Sequence, residues 1–467
     1  MPGKENSRRH AVVIGASIAG LCAARVLSDS YSQVSVYERD ELPGTAANRA
    51  TVPQDRHLHM LMARGAMEFE ELFPGLLKDM VAAGVPILEN RPDCIHLGAA
   101  GHVLGTGQTL RDEFTAYVPS RPHLEWQIRK RVQAIGNVAI QRRSVAEPAF
   151  DPLRRRVTGV LLDPADPPGD PEFVSADFIV DAAGRGTRLP VWLTQWGYPR
   201  PTEQTLDIGI NYATHYFRIP DGLIQERVVV AGASHDQSLG LGMLCYEDGT
   251  WVLTTFGVAD AKPPTTFGDM VALADQLLPS HFADALAQAE PVGEPAFHAF
   301  PASKWRRYDK LDSFPAGILP LGDAVVSFNP TFGQGMTMTA LQAGHLRRAL
   351  RSGADDVVAE VNRATAKTTF PVWTMNAIGD TSFHHARTEQ MPWWWRPSGA
   401  LFDQFLGAAE SESVLAEWFL RRFSLLDSLY MVPPPRIIGR AIAHNMRMWL
   451  RQRRERRGAA VTALRSP

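Results

Sequence analysis

Apolar and polar positions change period several times along the chain, and each change predicts an element. Residues 11–14 (AVVI) are continuously apolar, as in a parallel strand buried on both faces. A glycine-bounded turn follows at residues 15–20 (GASIAG), and LCAARVLSDS then repeats apolar positions at helical spacing. Residues 34–37 form a second apolar strand that ends at Glu38. Strand, turn, helix and strand together predict a βαβ unit. Between residues 205 and 300 the period falls to two in pieces such as IGINYATHYFRI, RVVVAG and TWVLTTFGV, which predicts antiparallel sheet. Residues 319–321 are again an apolar strand, and MTALQAGHLRRAL beyond them is helical. From Gly353 onward the pattern is mainly helical, with aromatic and proline interruptions. The Pro-rich stretch 163–171 predicts a surface hairpin or loop.

Length changes this picture by adding cores. A chain of 467 residues with 45% apolar content is too long for one simple core and suggests two or three packed units. A formal net charge of -2 gives no reason to expect nucleic acid as a partner. Cys22, Cys94 and Cys245 are far apart and form no CxxC pair. That argues against a disulfide scaffold and against a dithiol flavoenzyme, and a reducing cytoplasm fits best. Arg8, Arg9 and His10 ahead of an apolar run imitate a signal peptide, but glycines at fixed offsets and a following strand mark a folded element. No other stretch approaches the ~18 apolar residues of a spanning helix. No metal site is expected.

The first motif carries chemistry. Gly15 allows a sharp turn, and Gly20 allows the helix to pack on the strand. Ser17 stands where a second glycine is usual; it is small and can donate to a phosphate oxygen. Ile18 and Ala19 open the helix, whose free N–H groups and partial positive charge suit a pyrophosphate. Glu38, with Arg39 beside it, is placed to accept from ribose hydroxyls, about 20 residues beyond the turn. These features predict a dinucleotide site.

A second segment selects FAD over NAD. The strand at 319–321 leads into Gly322-Asp323, and Asp323 at a strand end can bind a ribityl hydroxyl. Pro330, Gly333, Gly335 and Met336 then bring backbone N–H groups close to a flat ring, with a helix N-terminus directed at flavin N1 and the C2 carbonyl. NAD enzymes need no such second site.

With its GD segment and Pro330-x-x-Gly333-x-Gly335, the chain resembles FAD-dependent monooxygenases of the p-hydroxybenzoate hydroxylase type, from residue 12 to about 350. VPQDRHLHML, ELFPGL, SRPHLEWQIRKRV, DAAGRGTRLPVWL and LGDAVVSFNPTFGQGM look closest to an actinobacterial branch that includes polyether-type polyene epoxidases. The resemblance implies an α/β fold with α+β elements. A Rossmann-like FAD-binding domain of the glutathione-reductase type would span residues 1–75, 120–190 and 310–350. An antiparallel substrate-binding part would span 76–119 and 191–309, and a helical C-terminal cap 351–467. It also implies that Arg121 reaches the FAD phosphate or ribityl region, that Val145 offers its backbone to adenine, and that Arg56 and the backbone at 52–54 lie along the flavin.

The chain departs from the family in one place. Where an Asp-Gly pair is common, it reads Asp181-Ala182-Ala183-Gly184, with Ala183 in the place of the acid. Asp181 is expected to end its strand and cap a turn. Electrons would come from NADPH or NADH, directly or through a separate flavin reductase. Flavin halogenases share the fold, but their WxWxIP segment and active-site lysine are not found. The triple Trp393-Trp394-Trp395 does not fit, and Lys78 lies in a solvated helix. The basic end, with Arg451, Arg453, Arg454, Arg456 and Arg457, reads as a solvated helix or as a docking site for an acidic carrier protein or a phosphate-bearing partner.

The implied reaction is transfer of one oxygen atom from O2, through a flavin C4a-hydroperoxide, to a small apolar biosynthetic intermediate of bacterial natural-product type. Positioning and water exclusion dominate such catalysis. Phenol hydroxylation profits from a base; epoxidation does not. His57 and His59, at alternate positions, and Tyr212, on the predicted sheet, are weak candidates, as are His384 and His385. Three readings stand: an epoxidase or hydroxylase, a halogenase or prenyl-chain reductase on the same fold, and a non-catalytic FAD-binding scaffold.

Overall fold

The computed structural model describes residues 9–49, 52–89, 94–107, 115–164, 169–234, 236–383, 386–388 and 391–463. His384 and His385 lie outside them. A five-stranded parallel sheet runs in the order Ile318–Pro320, Phe178–Asp181, His10–Ile14, Gln33–Glu38, Val138–Arg142. Alternation along its strands explains why the first one is apolar throughout. Ala11 and Val13 enter a core with the helices Ile18–Ser28, Arg121–Gln133 and Gly335–Ser352. Val12 and Ile14 enter a second core on the other face, shared with Val157, Val160 and Leu162. Those three belong to an antiparallel sheet of Val145–Asp151, Arg156–Leu162 and Glu172–Ser175. The Pro-rich stretch links the last two strands as a hairpin connection, of which residues 165–168 lie outside the described residues.

The period-two region is a mostly antiparallel sheet of eight strands. Its order is Val326–Ser327, Glu290–Arg306, Glu203–Arg218, Trp251–Gly257, Leu239–Cys245, Val228–Ala231, Ile95–Ala99, His102–Val103. Val229, Met243 and Leu253 face outward onto the helices Phe267–Leu277 and Ser280–Leu286. Val228, Leu244 and Val252, one residue out of phase, face Phe405, Leu406, Trp418 and Phe419 of the C-terminal helices. Those helices are Val357–Asp380, Trp395–Ala409, Ser413–Phe423 and Pro435–Ala463. No helix among the described residues is long and apolar enough to cross a membrane.

Candidate active site

The parallel sheet, the large sheet and the C-terminal helices surround one cavity of about 1980 Å³. That is roughly twice the upper end for drug-sized ligands, about 1,000 Å³, so it has room for a dinucleotide and a second molecule.

One end of the cavity is polar. Gly15, with φ +98°, receives its bend from the strand before it; a Cβ there would lie 2.8 Å from the Ala182 carbonyl oxygen. Gly15, Ser17, Ile18 and Ala19 line the cavity, and so do Glu38, Arg39, Arg121 and Val145. Gly20 does not. Its hydrogen faces the strand, where a Cβ would collide with the Gly15 carbonyl oxygen at 1.8 Å, which fits its expected packing role. The helix Ile18–Ser28 has no side-chain cap, so its first-turn N–H groups remain for an anion in the cavity. Glu38 is held by the Ala16 N–H, which donates to its Oε2 at 2.8 Å, and by the Arg49 guanidinium at 2.9 Å.

Arg49 carried no signal in the sequence, yet it organises this end. It is buried and meets Glu38, Asp40 at 3.1 Å and Glu125 at 3.1 Å. Glu125 in turn gathers Arg49, Arg121 at 3.5 Å and Arg129 at 3.4 Å, so one buried carboxylate aligns three cations. Ser17 joins the same network: its Oγ accepts from Arg121 Nη2 at 2.8 Å and donates to Glu125 at 3.1 Å. The serine that stands where a second glycine is usual thus fixes Arg121 beside the start of the helix Ile18–Ser28. Arg121 Nε has no partner within the protein. Arg56 departs from expectation. Its side chain is exposed on the short 3-10 turn Pro53–Arg56 and does not line the cavity, while Val52 and Gln54 do. A 3-10 turn points successive side chains in different directions, and here Asp55 takes the inner one.

At the junction of the two ends sits Asp323. Burial pushes its carboxyl above the usual range, against the pull of Arg121, Arg185 and Arg306. Arg306 holds this turn: its Nη1 donates to the Asp323 and Ala324 carbonyls at 3.2 Å, its Nη2 to the Arg185 carbonyl at 3.0 Å, and its Nε to Glu203 at 3.2 Å. Pro330, Gly333, Gly335 and Met336 line the cavity beside it. Gly333 is left-handed, φ +65°, and the 18-residue helix Gly335–Ser352 begins without a side-chain cap. Two uncapped helix starts therefore face one cavity. Asp181 ends its strand as expected, accepting from the Ala183 N–H at 3.0 Å and from the Thr187 hydroxyl.

The far end is apolar, walled by Ile208, Val230, Phe256, Met375, Phe402 and Phe419 among others. Among the residues that line the cavity, His57 Nε2, Tyr212 Oη and Asp380 Oδ2 are buried polar atoms without hydrogen-bond partners among the described residues. His57 is anchored through Nδ1 to the Thr214 hydroxyl at 2.8 Å, and burial lowers its pKa to about 4, which keeps it neutral. Its ring lies 5.9 Å from that of Tyr212 and 5.6 Å from that of His298. Tyr212 is held well above its ordinary pKa by burial, so it is a donor and not a base. His59 also lines the cavity, with a pKa lowered by burial to about 3; its Nδ1 is 2.9 Å from the His57 carbonyl. Asp380 was not foreseen. It ends the helix Val357–Asp380, accepts from Asn329 Nδ2 at 2.7 Å, and is pushed by burial to about 8. A carboxyl in this state is protonated at neutral pH and can donate. Its only sequence signal was an acid inside an otherwise apolar helix face.

A parallel Rossmann-like sheet, a second antiparallel sheet and a cavity between them form a fold that recurs in solved structures. The fold is shared with the flavin-dependent brominase Bmp2, at a TM-score of 0.62 and 16% identity over 94% of this chain and 100% of that one. It is shared also with p-nitrophenol 4-monooxygenase PnpA of Pseudomonas putida DLL-E4, at 0.62 and 18% over 90% and 99%. The anhydrotetracycline hydroxylase OxyS of Streptomyces rimosus follows at 0.58 and 17% over 91% and 78%. Residues 13–74 match the NAD(P)-binding Rossmann-like domain family, and residues 389–455 the Mycobacterium Rv3254 C-terminal domain. The chain belongs to the family of Protein Rv3254 of Mycobacterium tuberculosis, with 75% identity over 469 residues and 99% of each chain covered.

Proposed function

We propose that this protein is an FAD-dependent monooxygenase that inserts one oxygen atom into an apolar alkene or an electron-rich aromatic compound. One observation carries the reading: a single cavity joins two uncapped helix starts at a polar end to an apolar chamber of the right size for a substrate. The donor set fits FAD. Gly15–Ala19 and Arg121 would hold the pyrophosphate, Glu38 the ribose, Val145 the adenine, Asp323 the ribityl chain, and residues 333–336 the ring. When bound, FAD supplies the electron pair that activates O2. The protein's own part is to exclude water and orient the substrate. Tyr212 and protonated Asp380 would donate hydrogen bonds to a substrate oxygen that reached them, and neutral His57 would accept one. In this reading residues 1–75, 120–190 and 310–350 serve the cofactor, 76–119 and 191–309 the substrate, and 351–467 close the chamber. Within this reading, the resemblance of the sequence to the polyene epoxidases favours epoxidation. Halogenation is less well supported, because no lysine is among the described residues lining the cavity.

The test is direct. Flavin released from the purified protein is expected to be FAD. The reduced protein, mixed with buffer containing 18O2 and a panel of apolar alkenes and arenes, is expected to return one labelled oxygen in a product. Protein that lacks FAD, or a product with no label, overturns the reading; a product that requires bromide or chloride favours the halogenase.

A further inference from the structure

The helix Pro435–Ala463 is only partly absorbed into the fold. Its inner side, Ile437 and Ala441, packs into the core of the C-terminal helices, and Arg447 pairs with Glu412 at 2.7 Å. Its outer side carries Ile438, Ile442, Met446, Trp449 and Leu450, each from 43% to 60% exposed. Their spacing of four, four, three and one residues sets them along one side of an α-helix. Five large apolar side chains in one exposed stripe are not the ordinary scatter of surface apolar residues.

The stripe begins at the cavity mouth. Tyr430 and Val432 line the cavity and are also 51% and 69% exposed, and the chain passes from them through three prolines into the helix. Phe370 and Trp394 likewise line the cavity while remaining 49% and 36% exposed, and Trp393 beside them is 86% exposed. The opening is thus rimmed by aromatic and aliphatic side chains.

The charge on this helix is predominantly positive. Residues 436–457 contain eight arginines and one acid, Glu455, in a chain whose formal net charge is -2. Arg453 stacks over Trp449 at 5.0 Å. A tryptophan-bearing apolar stripe on an arginine-rich helix suits the boundary between headgroups and acyl chains. There the apolar side chains sink, tryptophan sits at the interface, and guanidinium groups reach phosphates.

We propose that the outer face of this helix, with the aromatic rim of the cavity mouth, docks on an anionic lipid bilayer, so that the cavity opens toward the membrane. An acidic protein would satisfy the arginines but leave the rim and the stripe without a common apolar surface. A bilayer satisfies all three at once. The surface goes beyond the oxygenase reading and stands without it; if both hold, the substrate is an apolar compound that resides in the membrane.

The experiment uses the purified full-length protein and vesicles of phosphatidylcholine, alone or mixed with phosphatidylglycerol. Co-sedimentation with the mixed vesicles is expected, weakening as salt is raised. Ile442→Asp with Met446→Asp, and separately Arg451→Glu with Arg453→Glu, are each expected to weaken vesicle binding by about tenfold or more. Both pairs are exposed, so flavin content and melting temperature should not change. No binding to either vesicle overturns the proposal, as does binding that neither pair of substitutions weakens. A dimer in solution that Ile442→Asp converts to monomer, without vesicle binding, also overturns it and makes a second copy the occupant. The assay does not read turnover, so vesicle binding by a protein that incorporates no oxygen would keep this surface and sink the oxygenase.

Discussion

Asp380 shows how one side chain can be read only through its surroundings. Burial raises its carboxyl to about 8, while one oxygen accepts from Asn329 and the other is buried without a hydrogen-bond partner among the described residues. The folded state therefore binds a proton that the unfolded state has released above the ordinary carboxylate range. Stability contributed at this position falls as pH rises from that range to about 8. Asp380→Asn removes this slope and keeps an acceptor for Asn329. It is expected to raise stability by ~1–3 kcal/mol at pH 8 and to change little at pH 4, by thermal melts across pH. If the protonated acid serves the substrate, the variant also loses the decline of kcat/KM above about pH 8. Asp323 is a different case, an acid set at the junction of the cavity. Asp323→Ala is expected to weaken FAD binding roughly 10- to 100-fold, the worth of a charged hydrogen bond. A variant that stays fully yellow through gel filtration refutes that contact.

At the level of elements, two close approaches hold the polar end of the cavity together. The first strand and the strand Phe178–Asp181 meet at Gly15, where φ is +98° and the Ala182 carbonyl oxygen leaves no room for a Cβ. Gly15→Ala is expected to cost about 1–3 kcal/mol and most of the bound FAD, measured by melting temperature and flavin content. The second approach is made by Arg306, which ties the long strand Glu290–Arg306 to the turns at Asp323 and Arg185. Arg306→Met leaves three carbonyls without their donor. It is expected to lower FAD affinity while Asp323 itself is intact, because the turn that aims Asp323 is released. Full affinity in this variant would show that the turn holds its shape unaided.

Across the whole molecule, the proposed reaction needs a route by which electrons reach the flavin ring. Ala183 lines the cavity at the position where the resemblance to the monooxygenases would put an acid, and Asp181 is spent on Ala183 and Thr187. We expect NADPH or NADH alone to bleach the flavin slowly and an added flavin reductase to speed it. Rapid bleaching by either nucleotide alone would show direct reduction despite Ala183.

The sequence and the structure divide the information along physical lines. The turn at residues 15–20, Glu38, the segment 330–336 and the sheet between 205 and 300 were legible because each depends on neighbours within one element. Glycine tolerance, apolar period and helix starts are local properties. Arg49, Glu125, Arg306 and Asp380 were not legible, although they fix the polar and apolar ends of the cavity. A charge is buried or solvated according to what distant segments bring to it, and Arg49 meets Glu125 across 76 positions of chain. The outward position of Arg56 has the same origin: a motif names a segment, but the packing of the 3-10 turn selects which side chain faces inward. Local chemistry therefore sufficed for the dinucleotide motif and the order of elements, whereas the partners of each buried charge, and the cavity they shape, existed only once the chain had folded.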